Sequence, residues 1–502
     1  LAGTFALAHL AYIRSSVGLQ YLPSLFNGIR GEPAIRKRMK KEPWSQRLNR
    51  TRLVRYANTY LKNRYDRAVE TRSRLKLQFL QLFPFLIAAT FTGVFAYAYS
   101  RVFHYAEVFS HTLLAYNRLA IFFVTPVCFL ASWWLVWRYA PFARGSGIPQ
   151  VMAAIELSQR GKNPLVDQLL SWKIIIVKVI SSTIKVIGGG ILGREGPTIQ
   201  VAAAIFKLVH DRLPKWWVSV SASNVILAGG AAGLAAAFNT PLGGIVFAIE
   251  ELSKHHFRFY KSALFIGVII SGLAAQGLGG GYLYLGHAAT NYQGWLIYPG
   301  IVLVSVVTGY FGSVMCSVIL RIMKLMRRKR GSTTELLMVI GGAMFVAFFI
   351  FLIGTDAMGS GKHLLDRYLF TADKQVEWYM PFVRMNGLIA TFSSGGAGGI
   401  FAASLSTGAT FGAFIAQALH LVGDNANVLI LVGMAGFLTA VTRTPFTSSI
   451  IIFEMTDRHS VIFFLLLGTL IANLAATINA RRSFYDQMKE NYLKQVDRTA
   501  QE

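Results

Sequence analysis

The sequence predicts an all-α polytopic membrane protein, a duplicated bundle whose helices break inside the bilayer. Three observations carry this. The chain of 502 residues is 54% hydrophobic and only 15% charged, where a soluble chain carries about 25% charged residues. Several apolar runs reach the roughly 20 residues that cross a bilayer. Two stretches about 203 residues apart, beginning at Gly230 and Gly433, repeat one another in order.

In chain order, residues 1–76 read as a basic arm. Between positions 30 and 76 stand sixteen Lys/Arg against four acids, Glu32, Glu42, Asp66 and Glu70. Further basic clusters at Lys254–Lys261, Arg321–Arg330 and Arg481–Arg482 each border an apolar segment. Positive charge beside spans marks the cytoplasmic side. The arm, these loops and a short tail, 481–502, are therefore expected in the cytoplasm, with the arm against anionic lipid or serving topology alone. The net charge of +27 thus points to a bilayer and not to nucleic acid. The clearest spans are 77–100, 116–140, 297–320, 334–354 and 461–480. Shorter or interrupted apolar stretches lie at 149–158, 169–192, 198–209, 225–250, 263–282, 398–421 and 427–453. The transmembrane domain is expected over 77–480, with one repeat at about 77–282 and a second at about 297–480.

Enzymatic chemistry finds no support. Cys128 and Cys316 lie far apart in apolar runs, with no disulfide framework or metal spacing. The "GSGKH" at 359–363 hints at a phosphate loop, but Asp356 stands where a glycine is required and no Ser/Thr follows Lys362. His255 and His256 fall in a basic loop. No cofactor is expected.

The repeat is specific in its order. Gly230, Ala232, Gly233 and Ala237 match Gly433, Ala435, Gly436 and Ala440; after a one-residue slip, Thr240, Pro241 and Glu250 match Thr444, Pro445 and Glu454. Duplicated architectures with broken helices build binding sites at mid-membrane. Three turns then stand out where glycine meets a helix start: "GSGIPQ" (145–150), "GREGPTIQ" (193–200) and "GGIFAASLSTG" (398–408). Glycine leaves backbone N–H groups uncovered. A helix N-terminus carries about half an elementary charge and several unpaired donors. Converging ends would hold an anion on partial charges, loosely enough to release it.

The ordered set GSGIP, GREGP and GGIFA, with "AAAFNTPLGGIVFAIEEL" between the last two, resembles the CLC family of chloride channels and chloride/proton exchangers over most of residues 77–486. The resemblance implies two inverted-topology repeats with broken, tilted helices. It implies chloride on the hydroxyl of Ser146, the backbone amides of Ile400 and Phe401, and the hydroxyl of Tyr485. Gly145, Gly147, Gly193, Arg194, Gly196 and Pro197 are the motif residues around that ion. Glu195 resembles the gating glutamate, a tethered anion that competes with chloride unless protonated; a static bridge to Arg194 is its bland alternative. Glu251 matches the internal proton-transfer position of exchangers, or is a helix-end carboxylate near Lys254. Chloride/proton antiport is the implied activity, and a passive chloride channel on the same fold the alternative. Two departures are visible. Ala403 replaces the proline that usually follows GGIFA, and the chain ends about 20 residues after its last span, as in compact bacterial members without paired nucleotide-sensing domains. Ser146 favours chloride over nitrate, and GREGP argues against fluoride. A homodimer in the bacterial inner membrane, with both termini cytoplasmic, completes the expectation.

Overall fold

A computed structural model describes residues 59–60, 62–63 and 74–499, apart from 215, 218–219, 254–260, 281–284, 292–293, 329–330, 332, 372 and 457–458. Most of the basic arm, and the loop with His255 and His256, lie outside the described residues. The chain divides into two units, Leu1–Arg72 and Ser73–Glu502. In the first, Thr59, Tyr60, Lys62 and Asn63 are helical. The second is helical throughout, and the extended pairings among its described residues are two isolated bridges, Gly145 with Ala397 and Gly193 with Gly399.

The first half runs through α1 (Arg74–Tyr116), α2 (Ile121–Tyr139), α3 (Ile148–Gln159), α4 (Asn163–Leu169), α5 (Trp172–Ile187), α6 (Glu195–Asp211), α7 (Ala222–Phe238), α8 (Pro241–Phe247) and α9 (Lys261–Gly279). The second runs through α10 (Ile297–Arg328), α11 (Thr333–Ile353), α12 (Lys362–Phe370), α13 (Met380–Ser393), α14 (Phe401–Ala418), α15 (Gly423–Thr442), α16 (Pro445–Thr456) and α17 (Ile462–Thr477). A last amphipathic helix, α18 (Phe484–Thr499), buries Tyr485, Met488, Tyr492 and Val496. That three-and-four spacing is one helical face, and it packs on α3.

Seven described helices are long and apolar enough to cross a membrane. All five spans expected from the sequence are among them. The other two, Ser262–Gly279 and Gly423–Thr442, were expected only as interrupted stretches. Gly423–Thr442 is 94% buried over its apolar window. It is a central helix that meets protein on every side, so its Gly/Ala content serves close packing. Gly433 faces Gly408 of α14, where a Cβ would come within 2.5 Å of the Gly408 carbonyl. The outer helices α2 and α11 are only 28% buried over the corresponding windows and leave Phe123, Trp134, Leu337 and Phe348 exposed. The first span is longer than expected: α1 has 43 residues, about 65 Å at 1.5 Å per residue, against a hydrocarbon core of about 30 Å.

The repeat is physical. The apolar stretch 225–250 breaks at Asn239, and 427–453 breaks at Arg443. Both residues are left-handed, with φ of 56° and 63°, and a Thr-Pro pair follows each. Arginine rarely tolerates that conformation. Here its guanidinium donates to the carbonyls of Asn473 (3.0 Å) and Ala476 (2.6 Å) at the end of α17, where a cation offsets the helix dipole.

The matched acids brace the halves reciprocally. Glu250, from the first half, accepts from the amides of Phe446 (3.2 Å) and Thr447 (2.6 Å) at the start of α16. Glu454, from the second, accepts from Leu242 (3.1 Å) and Gly243 (2.8 Å) at the start of α8. Each carboxylate satisfies orphan donors of the other repeat. Glu454→Ala is expected to cost about 1–2 kcal/mol, the range of a lost cap, read as a lower thermal midpoint in detergent. Glu377→Ala should leave the midpoint unmoved.

Candidate functional site

The three glycine turns are stitched together by backbone. Gly145 donates to the Gly396 carbonyl (3.0 Å) and Gly398 donates back to that of Gly145 (3.1 Å). Gly193 and Gly399 exchange two bonds of 2.8 Å each. These pairings bring the N-termini of α3, α6 and α14 to one place. Only glycine permits the approach at two positions. A Cβ on Gly196 would lie 2.3 Å from the Ser146 hydroxyl, and one on Gly147, whose φ is 116°, would lie 2.5 Å from the Gly196 carbonyl.

The carbonyls of the Ser146 turn are drawn elsewhere. Lys178 of α5, fully buried, donates to the carbonyls of Ala143 (2.9 Å) and Gly145 (2.7 Å). The Arg144 carbonyl accepts from Gln150 (2.6 Å) and from the Tyr492 hydroxyl (2.8 Å). With those acceptors occupied, the turn can offer its hydroxyl and amides to an anion. The second half repeats the device at its own "GSG". Gly359 and Gly361 are left-handed, α12 starts after them, and buried Arg384 donates to the carbonyls of Met358 (2.9 Å) and Gly359 (3.3 Å). The stretch that hinted at a phosphate loop is therefore the structural counterpart of 145–147.

Glu195 opens α6 and is 1% exposed. One carboxylate oxygen accepts from the Ala402 amide at 3.4 Å, in the first turn of α14, and the carboxylate also bonds to its own backbone N–H. A Cβ on Gly193 would fall 2.1 Å from that oxygen. Arg194 turns away, donating to the Ser100 carbonyl of α1 at 3.0 Å; among the described residues no ion pair joins it to Glu195. Ile400 caps α14 and Phe401 begins it, both wholly buried. Among the described residues, no backbone carbonyl accepts from either amide.

Ser146 and Tyr485 are buried, and among the described residues neither hydroxyl has a partner within hydrogen-bond distance. The two lie close enough to influence each other, and Tyr485 is within electrostatic reach of Glu251 and, more weakly, of Glu195. Glu251 is 1% exposed, in a π-helical turn (Ala248–Leu252) that continues α8. Such turns recur at functional sites. Two hydroxyls, the ends of α3, α6 and α14, and a carboxylate resting on one of those ends are thus brought to one place, a donor set whose chemistry suits a small anion. A metal is not served by this donor set, and no group of three or more His, Cys, Asp or Glu suited to a metal occurs among the described residues.

Comparison with known proteins agrees with this geometry. Residues 128–477 match the profile of the family described as "Voltage gated chloride channel". The chain belongs to the CLC family. The H(+)/Cl(-) exchange transporter ClcA of Salmonella schwarzengrund is 28% identical over 459 residues, covering 86% of this chain and 93% of that protein. Its counterpart in Salmonella paratyphi C gives the same values. Among solved structures, a slow cyanobacterial Cl-/H+ antiporter superposes with a TM-score of 0.70 at 22% identity, over 83% of this chain and 98% of that one. A CLC-type fluoride/proton antiporter gives 0.67 at 19% identity, over 82% and 98%. The CLC fold of inverted repeats with broken helices is thus shared, and the protein is an integral membrane transport protein.

Within this CLC fold, Gly145, Ser146, Gly147, Gly193, Glu195, Gly196, Ile400, Phe401 and Tyr485 gather at one place. Glu251 is set apart, past α8. Pro197 falls in the first turn of α6, where a missing N–H costs nothing. Ala403 occupies the same kind of place in α14 and is wholly buried; alanine keeps an amide N–H that proline lacks. Sequence reasoning missed Lys178, Tyr492 and Arg384. For Lys178 and Arg384 the available signal was a basic residue inside an apolar helix, since a buried cation needs partners.

Proposed function

We propose that the protein exchanges chloride for protons, with Glu195 as gate and Glu251 as internal proton-transfer residue. The observation that carries this is the Glu195 carboxylate resting on the Ala402 amide, beside the buried hydroxyls of Ser146 and Tyr485. Chloride binds Ser146, Tyr485 and the amides of Ile400 and Phe401; the carboxylate competes for the same helix ends. Protonation removes its charge and its claim on them, so proton and chloride binding become linked. Glu251 and Tyr485 are near enough to interact, which suits a proton path that meets the chloride path near Tyr485. Relatives named as H(+)/Cl(-) exchange transporters support antiport.

The test is paired chloride and proton flux from purified protein in vesicles. A chloride gradient should drive protons uphill. Glu251→Gln should abolish proton flux and leave chloride flux within about threefold. Chloride flux without proton movement in the unaltered protein would instead establish a passive channel. Fluoride outcompeting chloride would overturn the substrate.

The reading includes repeats at about 77–282 and 297–480, a basic arm over 1–76 and a tail at 481–502 that delivers Tyr485. Both termini face the cytoplasm of a bacterial inner membrane. Two copies pair through α8, α9, α16 and α17, which expose Leu242, Leu273, Phe446 and Phe463. Crosslinking in membranes across these helices should trap a dimer.

A further inference from the structure

Beside the Ser146 turn lies a cavity of about 920 Å³, walled by α2, α4, α5, α10, α11, α18 and the segment 140–144. That volume suits a small-molecule or headgroup ligand. Four cations line it: Arg144, Lys173, Arg327 and Lys494. The two acids in its wall are already engaged. Asp167 accepts from Lys207 at 2.5 Å. Glu335 accepts from the Trp133 ring N–H (3.2 Å) and the Gly331 amide (2.8 Å), with Arg144 at 3.9 Å. Lys173 of α5 and Lys494 of α18, both exposed, have no carboxylate within ion-pair distance among the described residues. The cavity therefore presents surplus positive charge.

Its rim is also aromatic. Trp133 and Trp137 stack with ring centroids 6.0 Å apart. Trp137 and Tyr139 are 40% and 54% exposed at the end of a lipid-facing helix, the depth at which amphipathic rings meet headgroups. Arg327 and Arg328 end α10 on the same side, where basic residues attract anionic lipid. We propose that this cavity binds the phosphate of an anionic phospholipid, held between Lys173 and Lys494 with its glycerol against the tryptophans. The site is coupled to transport. Arg144 lines the cavity, and its carbonyl is held by Tyr492 of α18, the helix that carries Tyr485. An occupant thus bears on both ends of the chloride pocket.

The test counts bound lipid by native mass spectrometry on the full chain in detergent, titrated with phosphatidylglycerol or phosphatidylcholine. Phosphatidylglycerol should be retained at least about tenfold more tightly. K173E/K494E should erase that preference with an unchanged thermal midpoint, and the milder K173A/K494A should weaken it. In zwitterionic vesicles, added phosphatidylglycerol should change the chloride flux of the unaltered protein but not of the variants. Equal retention by all three proteins would overturn the proposal. Displacement of the lipid by millimolar inorganic phosphate would overturn the lipid source, leaving a soluble phosphate as occupant.

Discussion

Glu195→Gln is expected to abolish coupled proton transport while chloride continues to cross. The carboxylate now rests on the first turns of α14 and α6, a place that the helix dipoles make attractive to negative charge. Glutamine has nearly the same shape but no charge and no proton to exchange, so it neither holds that place against chloride nor carries a proton through it. Proton flux driven by a chloride gradient should fall to the leak of empty vesicles. Chloride flux should persist and lose its pH dependence, because under the proposed exchange Glu195 is the titrating group that links the two ions. Glu195→Asp tests the geometry separately. A side chain one methylene shorter cannot make the 3.4 Å contact to Ala402 from the same backbone position, so it should gate poorly while still titrating. If Glu195→Gln pumps protons like the unaltered protein, the gate lies elsewhere, whatever role Glu251 has.

How much of this was legible depended on the range over which each residue acts. The glycine turns were legible because helix initiation is local: Gly-Ser-Gly-Ile-Pro can do little else within an apolar context. Residues 145, 193 and 399 each announce a turn, but nothing local says that Gly193 pairs with Gly399. That the turns converge was inferred from resemblance, and the backbone bonds supply the cause. The matched acids, Glu250 and Glu454, were visible as a pair, yet their task was not. Each caps a helix roughly 200 residues away, and pattern reading within one segment cannot see a partner in another. Helix 423–442 is as hydropathic as the first span, but its stretch runs on past Arg443 and Pro445 into α16, and those residues made it read as interrupted.

Lys178→Met should weaken halide binding about tenfold or more, the second large effect the structure implies. The lysine amino group is a donor in either protonation state, and it serves the carbonyls of Ala143 and Gly145. Methionine fills the same volume and donates nothing. The Ala143 carbonyl would then lose its donor, at about 1–3 kcal/mol, and that of Gly145 would keep the Gly398 amide alone. Their easiest recourse is to rotate toward the nearest donors, which include the amides and hydroxyl of the Ser146 turn. An anion would meet carbonyl oxygens where it now meets N–H groups, and every 1.4 kcal/mol lost is tenfold in affinity. Titration calorimetry with chloride on the purified protein measures this directly. Arg384→Met is the control, because Arg384 braces the corresponding turn of the other repeat and Ser406 within α14, and none of its hydrogen bonds among the described residues reaches the Ser146 turn. It should lower the thermal midpoint and leave chloride affinity within about threefold. Equal affinity in Lys178→Met and the unaltered protein would mean that the turn holds its shape without the lysine, and that its backbone pairing with Gly396 and Gly398 alone points the donors inward.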